Sequence, residues 1–135
     1  MKPNYVIDQY PSALSVTVRR YKPNGKRYEL NLKARFRIID TNSSFTRIVE
    51  VPSKFETDFA SVPQIFHSII GPVGKWVIAA LLHDYLYSKQ FEGNISREQA
   101  DAFFYKLMLQ CHVQKPIAWI MWACVRMFGK SSWKK

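Results

Sequence analysis

The sequence predicts an α+β protein, in which an N-terminal antiparallel β-hairpin or three-stranded sheet is followed by a cluster of three to four helices containing an αα-hairpin. Before Pro52, apolar and polar side chains alternate in three stretches, which is the period of strands. After Pro52, apolar residues recur at helical spacing between typical capping and breaking residues. We therefore expect a single domain over residues 1–135, with its β part at about 1–55 and its helical part at about 56–130.

The β part contains a first strand at about 14–18, a turn at 22–26, a return strand at 28–38 and a third strand at about 45–51. The turn carries Asn-Gly, a strong hairpin signal. The return strand has the clearest alternation, and one of its faces is expected to be core. That face comprises Tyr28, Leu30, Leu32, Ala34, Phe36 and Ile38.

The net charge is +10, and the two ends of the chain carry most of it. Residues 1–55 hold eleven Lys and Arg against four acids, and residues 116–135 hold four against none. This balance is compatible with a polyanionic partner, namely nucleic acid, anionic lipid or a cell-wall polymer, although a solvated basic surface is the simpler interpretation. The candidate binding residues are Arg19, Arg20, Lys33, Arg35 and Arg37.

Cysteine usage and hydropathy favour a protein made inside the cell. Cys111 and Cys124 lie in helical, apolar surroundings, which fits reduced thiols better than a disulfide framework. The first five residues lack the apolar core of a signal peptide. The longest apolar run, 116–125, is about half the length of a membrane span, so no transmembrane segment is expected.

Four helices are expected after Pro52. The first two cover 64–70 and about 75–88. Ser96 and Gln99 form a capping box that begins the third helix, which ends at about Cys111. Pro116 and Gly129 delimit the fourth.

One ionisable pair stands out in the second of these helices. His83 and Asp84 follow a strongly apolar segment, where burial is costly unless each group has a partner. Adjacent helical residues diverge by about 100°, so the two cannot pair with each other. A short loop to the next helix predicts an αα-hairpin, which would place His83 and Tyr87 beside Arg97 and Asp101.

Such a cluster has a catalytic and a structural interpretation. A carboxylate bound to one imidazole nitrogen leaves the other as a general base near neutral pH. Asp84, facing elsewhere, could bind a hard cation or pair with Arg97. Alternatively, the buried polar groups hold two helices in register and catalyse no reaction.

Several runs resemble a family of small phage and prophage proteins, the family called domain of unknown function 1353. They are VPSKFETDFASVP at 51–63, AALLHDYLY at 79–87, Ser96-Arg97 with Ala100-Asp101 and Phe104, and VRMFG at 125–129. The resemblance spans about residues 26–133. It implies a phage or prophage origin and a location in the host cytoplasm, or in the virion after assembly.

A weaker, local similarity concerns the active site of calcium-dependent secretory phospholipases of the A2 type. It implies that His83 activates water, Asp84 binds calcium, Asp101 orients His83 and Tyr87 supports the carboxylate. Asp58 could supply a further metal ligand. The cysteines and the glycine-rich calcium loop of those enzymes are absent here. The similarity is therefore one of geometry.

The leading functional expectation is a phage-encoded hydrolase with a His/Asp general-base site and a divalent cation, calcium being favoured. Its candidate catalytic residues are His83, Asp101, Tyr87 and Arg97, and its candidate metal ligands are Asp84 and Asp58. One alternative is a non-catalytic tail or connector component that binds other virion proteins. The other is a basic binder of nucleic acid or of a host protein.

Overall fold

The computed structural model describes residues 4–10, 15–18, 28–43, 45–57 and 76–134. Several sequence predictions lie outside these residues, namely the turn at 22–26, the helix at 64–70, and the site residues Arg19, Arg20 and Asp58. The chain forms two compact units, Met1–Asp58 and Phe59–Lys135.

The described part of the first unit contains two three-stranded antiparallel sheets, ordered β1-β4-β5 and β2-β3-β6. The strands are β1 Tyr5–Tyr10, β2 Val16–Val18, β3 Tyr28–Leu30, β4 Ala34–Asp40, β5 Phe45–Val51 and β6 Glu56–Thr57. The predicted antiparallel three-stranded sheet is therefore present, with β4 at its centre and β5 as its predicted third strand.

The core face of β4 follows the predicted alternation. Ala34, Phe36 and Ile38 are buried, whereas the arginines between them are exposed. Residues directly opposite each other in an antiparallel pair share a face of the sheet. Phe36 lies opposite Val49 and Ile38 lies opposite Ile7, so all three strands bury apolar side chains on the same side.

The predicted return strand at 28–38 is divided between the two sheets, and Leu32 is 62% exposed instead of lying in the core. Asn31 accounts for the break. Its backbone N–H donates to Ser15 O at 2.8 Å, and its side chain bonds Ser15 Oγ at 3.0 Å and Thr17 Oγ1 at 2.8 Å. These bonds hold Asn31 on the β2 side, and β4 then pairs with β1, a strand that the alternation pattern did not predict.

The described part of the second unit contains three helices, which confirms the α+β class. They are α1 Val77–Tyr87, α2 Arg97–Gln110 and α3 Lys115–Phe128, and a short 3-10 turn over Gly129–Ser132 follows. The predicted capping box is present, because Ser96 Oγ accepts from Gln99 N at 3.1 Å and Gln99 Oε1 accepts from Ser96 N at 3.0 Å. Pro116 lies in the first turn of α3.

The helical core is formed by large apolar side chains that each helix directs toward its neighbours. The most deeply buried are Leu82, Leu86, Phe104, Leu107, Met108, Met121 and Val125. Within the described residues, no helix is long and apolar enough to cross a membrane.

Candidate functional site

The centre of the candidate site is Asp101, which is 0% exposed and lies on the second turn of α2. Its Oδ1 is 2.6 Å from His83 Nε2 and accepts a hydrogen bond from the Tyr87 hydroxyl at 2.7 Å. Its Oδ2 accepts from Arg126 Nη1 at 2.8 Å. Each carboxylate oxygen therefore has at least one donor, and the donors come from α1 and α3.

Helical spacing explains how α1 supplies two of these donors. His83 and Tyr87 are four residues apart and share one face of the helix. The capping box fixes where α2 begins, and so it places Asp101 opposite that face. The structure thus brings together four of the predicted site residues, His83, Tyr87, Arg97 and Asp101.

Arg97 contacts Asp101 and the end of α3, whereas the sequence suggested that it could pair with Asp84. Its Nη1 is 3.8 Å from Asp101 Oδ2, within ion-pair distance, and donates a long hydrogen bond of 3.4 Å to the Tyr87 hydroxyl. Nη1 donates to Val125 O at 3.1 Å, and Nη2 donates to Arg126 O at 3.2 Å. These carbonyls lie in the last turn of α3, where Val125 O also accepts from the Gly129 N–H, so Arg97 fixes the end of α3 against the start of α2.

The sequence reasoning missed Arg126. The family resemblance included the run 125–129, but no role was predicted for any of its residues. The available signal was a cation next to Val125, which belongs to the buried stripe of α3 together with Ala118 and Met121. A charge so close to a buried stripe indicates a partner across the helix interface.

Gly129, at the end of α3, provides space for the cluster. Its φ of −76° is accessible to any residue, so backbone conformation does not require glycine here. A Cβ at this position would lie 2.8 Å from Tyr87 Oη and 3.3 Å from Arg97 Nη1. Glycine is therefore needed because the Tyr87 hydroxyl approaches the backbone closely.

Aromatic rings enclose the His83–Asp101 pair. The His83 ring is 0% exposed, with its centroid 4.2 Å from that of Tyr87 and 4.6 Å from that of Phe104. Trp133 packs edge-on against Tyr87, with the two centroids 5.0 Å apart. The hydrogen bonds of the pair therefore form away from bulk water, where they are electrostatically stronger.

The C-terminal segment holds the end of α1 in place. Lys134 N donates to Tyr87 O at 2.7 Å, and Lys134 Nζ donates to the carbonyls of Leu86, Ser88 and Phe91 at 3.0, 3.1 and 2.9 Å. A cation at a helix C-terminus satisfies free carbonyls and complements the helix dipole. Burial lowers the pKa of the Lys134 ammonium.

Protonation states in the cluster follow from its hydrogen bonds. Burial by itself would raise the pKa of Asp101, but the hydrogen bonds from His83, Tyr87 and Arg126 outweigh it and hold that pKa below its usual value. Burial, and next the hydrogen bond to Asp101, raise the pKa of Tyr87 far above its usual value. At neutral pH Asp101 is thus an ionised acceptor and Tyr87 a protonated donor.

The structure describes one of the two predicted cation ligands. Asp84 is half-buried on α1 and is not among the groups bound to Asp101, and Asp58 lies outside the described residues. The oxygens of Asp101 are occupied by donors. Among the side chains that the structure describes, no group of three or more His, Cys, Asp or Glu is placed to hold a metal.

Three of the five predicted basic residues are described, and all three are exposed. Arg35 and Arg37 lie on the outer face of the β1-β4-β5 sheet, and Lys33 immediately precedes β4. Arg35 Nη2 is 2.8 Å from Glu50 Oε1, and Arg37 Nη2 is 2.5 Å from Asp8 Oδ2. Each acid lies directly opposite its arginine in the strand register, so these two positive charges are compensated within the sheet.

An open cavity of about 280 Å³ lies on this same outer face of the sheet. It is lined by Asp8, Gln9, Tyr10, Arg35, Arg37 and Ile48, all from the first unit.

Comparison with protein-family models gives one match, over residues 30–125, to the family described as protein of unknown function (DUF1353). The chain belongs to this family. The matched region contains α1, α2 and all but the last three residues of α3, and so it includes His83 and Asp101. Searches of curated proteins and of solved structures gave no match.

Replacing Gly129 with alanine should destabilise the protein by about 1–3 kcal/mol, because the added methyl group collides with the Tyr87 hydroxyl. Urea unfolding followed by circular dichroism measures this loss. Tyr87→Phe removes the hydroxyl, so the same alanine should cost less in that background. A coupling energy near zero between the two substitutions would contradict the proposed collision.

Asp101→Asn should lower the free energy of unfolding at pH 7 by about 3–5 kcal/mol, because three donors lose a buried anionic partner. The folded-state pKa of Asp101 is lowered, so its ionised form contributes stability above the unfolded-state pKa of about 4. That contribution is lost as the pH falls through the folded-state pKa. The difference between wild type and variant should therefore shrink in acid.

The measurement is urea unfolding at pH 7, 5 and 3. Asp8→Asn is the matched control, because Asp8 forms an exposed ion pair with Arg37 and its loss should cost less than about 1 kcal/mol. A penalty for Asp101→Asn that is as large at pH 3 as at pH 7 would show that the charge of Asp101 does not stabilise the fold.

Proposed function

We propose that this protein is a phage-encoded hydrolase in which His83 is the general base and Asp101 orients it. The observation that carries the proposal is the 2.6 Å separation between His83 Nε2 and Asp101 Oδ1. A carboxylate at this distance fixes the imidazole ring and stabilises the imidazolium that forms when the base accepts a proton. The phage origin in this proposal rests on the family resemblance.

The proposed reaction is hydrolysis of an ester. His83 Nδ1, the nitrogen that does not face Asp101, takes a proton from a water molecule while the water oxygen attacks the ester carbonyl. The tetrahedral intermediate then collapses, and the imidazolium returns the proton to the leaving alcohol. One water is consumed, and one acid and one alcohol are formed.

Tyr87 and Arg126 act on this reaction through Asp101. Their hydrogen bonds occupy both carboxylate oxygens and favour the ionised form, so Asp101 remains a negative partner for the imidazolium. Arg97 positions Arg126 by binding the Arg126 carbonyl. In this proposal the predicted catalytic residues Tyr87 and Arg97 are therefore positioning residues.

The proposal also includes a divalent cation, with calcium favoured, and the assay below tests whether the reaction requires it. It would be held by Asp84 and Asp58 and would polarise the carbonyl of the substrate. Asp84 is the one candidate ligand within the described residues, and no step above depends on the cation.

Replacing His83 with glutamine should reduce ester hydrolysis by about 100-fold or more, because the general base is lost. The substrates are phospholipid vesicles and a soluble 4-nitrophenyl ester, assayed with calcium and with a chelator. Activity that is present with calcium and absent with the chelator would establish that the reaction requires the cation. The matched control is His112→Asn, since His112 is exposed and its φ of 67° suits asparagine.

A second candidate is a non-catalytic virion component, such as a tail or connector piece. The complete burial of His83 and Asp101 favours it, because a cluster that only holds three helices together needs no access to water. No hydrolysis of either substrate by the wild type, together with recovery of the protein from purified particles by mass spectrometry, would support this candidate and exclude the first for those esters.

A further inference from the structure

Helix α3 presents apolar side chains on two opposite sides. Its inward side chains Ala118, Met121 and Val125 are 0% exposed. Its outward apolar residues, hereafter the outer stripe, are Trp119 at 56%, Ile120 at 45%, Met127 at 71% and Phe128 at 64% exposure. Four large exposed apolar residues on a helix of 14 residues are unusual for a surface in contact only with water.

The outer stripe is continuous on the helix surface. Successive residues turn by about 100° around an α-helix. On this geometry Trp119, Met127 and Ile120 lie within about 100° of one another, and Phe128 extends the stripe by about 80° more. The stripe therefore covers about half of the helix circumference, on the side opposite Ala118 and Val125.

Positive charge accompanies the stripe. The sequence contains no Asp or Glu after Asp101, whereas Lys115 and Lys130 are exposed at the two ends of α3. A second copy of this chain would bring the same positive charges to the same face, and like charges oppose such pairing. The charge of the surface is instead complementary to an anionic partner.

We propose that the outer stripe of α3 is a membrane-interface surface that binds anionic phospholipid. An interfacial helix has this combination of features: Trp and Phe enter the boundary between headgroups and acyl chains, and lysines contact anionic headgroups. At 14 residues, α3 lies in the plane of the bilayer and does not cross it. This proposal does not depend on the hydrolase proposal, because none of the four residues of the outer stripe belongs to the group of side chains bound to Asp101.

The test uses the full chain and co-sedimentation with vesicles, either of phosphatidylcholine alone or of phosphatidylcholine mixed with phosphatidylglycerol. Wild type should bind the anionic vesicles more tightly than the neutral ones, and less tightly as salt increases. Trp119→Ser with Met127→Ser should weaken binding by about tenfold or more, because two interfacial side chains are lost. The matched control is Tyr10→Ser with Leu32→Ser, which removes apolar groups of 77% and 62% exposure from the first unit.

The lysines are tested separately. Lys130→Gln should weaken binding to the anionic vesicles by about fivefold, the effect of one cation near an anionic surface. Lys89→Gln is the control, because Lys89 is exposed after the end of α1 and is not part of α3. Equal losses for both lysines would indicate attraction by net charge alone and would overturn the assignment to α3.

Brominated lipids provide a measurement without any variant. Trp76 is buried, and Trp119 is the more exposed of the two tryptophans of α3. Quenching of wild-type fluorescence should therefore report insertion of Trp119. Absence of quenching, absence of binding to anionic vesicles, or unchanged binding by the serine double variant would each overturn the proposal. So would self-association of the wild type that the double variant abolishes, since the stripe would then be a dimer interface.

Discussion

The helical unit depends on one constraint: the negative charge of Asp101 is buried and must be paired. A carboxylate removed from water without partners costs more than a protein of this size can spare. Here the partners are His83 and Tyr87 from α1 and Arg126 from α3. Because the donors come from both of the other helices, pairing this charge fixes the positions of all three helices.

Other features of the unit follow from that requirement. Arg126 reaches Asp101 because Arg97 holds the last carbonyls of α3, and Tyr87 reaches it because Gly129 leaves room for its hydroxyl. Lys134 then satisfies the carbonyls at the end of α1. A buried ionic cluster adds little net stability compared with an apolar core of equal volume, so its main physical effect is to specify one arrangement of the helices.

Local patterns in the sequence were enough to predict much of this site and part of the fold. The four-residue spacing of His83 and Tyr87, and the capping box that begins α2, indicated that these side chains would meet Asp101. Arg126 was missed because its partner is 25 residues away on another helix, a contact that helical periodicity does not encode. The same limit applies in the first unit, where alternation identified the core face of β4. Its pairing with β1 and the break at Asn31 depend on long-range hydrogen bonds.

The two candidate functions rest on the same arrangement of His83 and Asp101. They differ in whether the burial of these two side chains helps or hinders the function. In a structural lock, replacement of the whole cluster by apolar side chains of similar volume would leave the assembled protein functional, and more stable if anything. In a hydrolase the same replacement would abolish turnover while leaving the fold intact, because the proton acceptor is lost. Because His83 is 0% exposed, a hydrolase has to open the cluster for its substrate to reach the imidazole ring, whereas a structural lock stays closed. The two functions therefore differ in whether water and substrate reach the imidazole ring during turnover, and hydrolysis that depends on His83 is the measurement of that access.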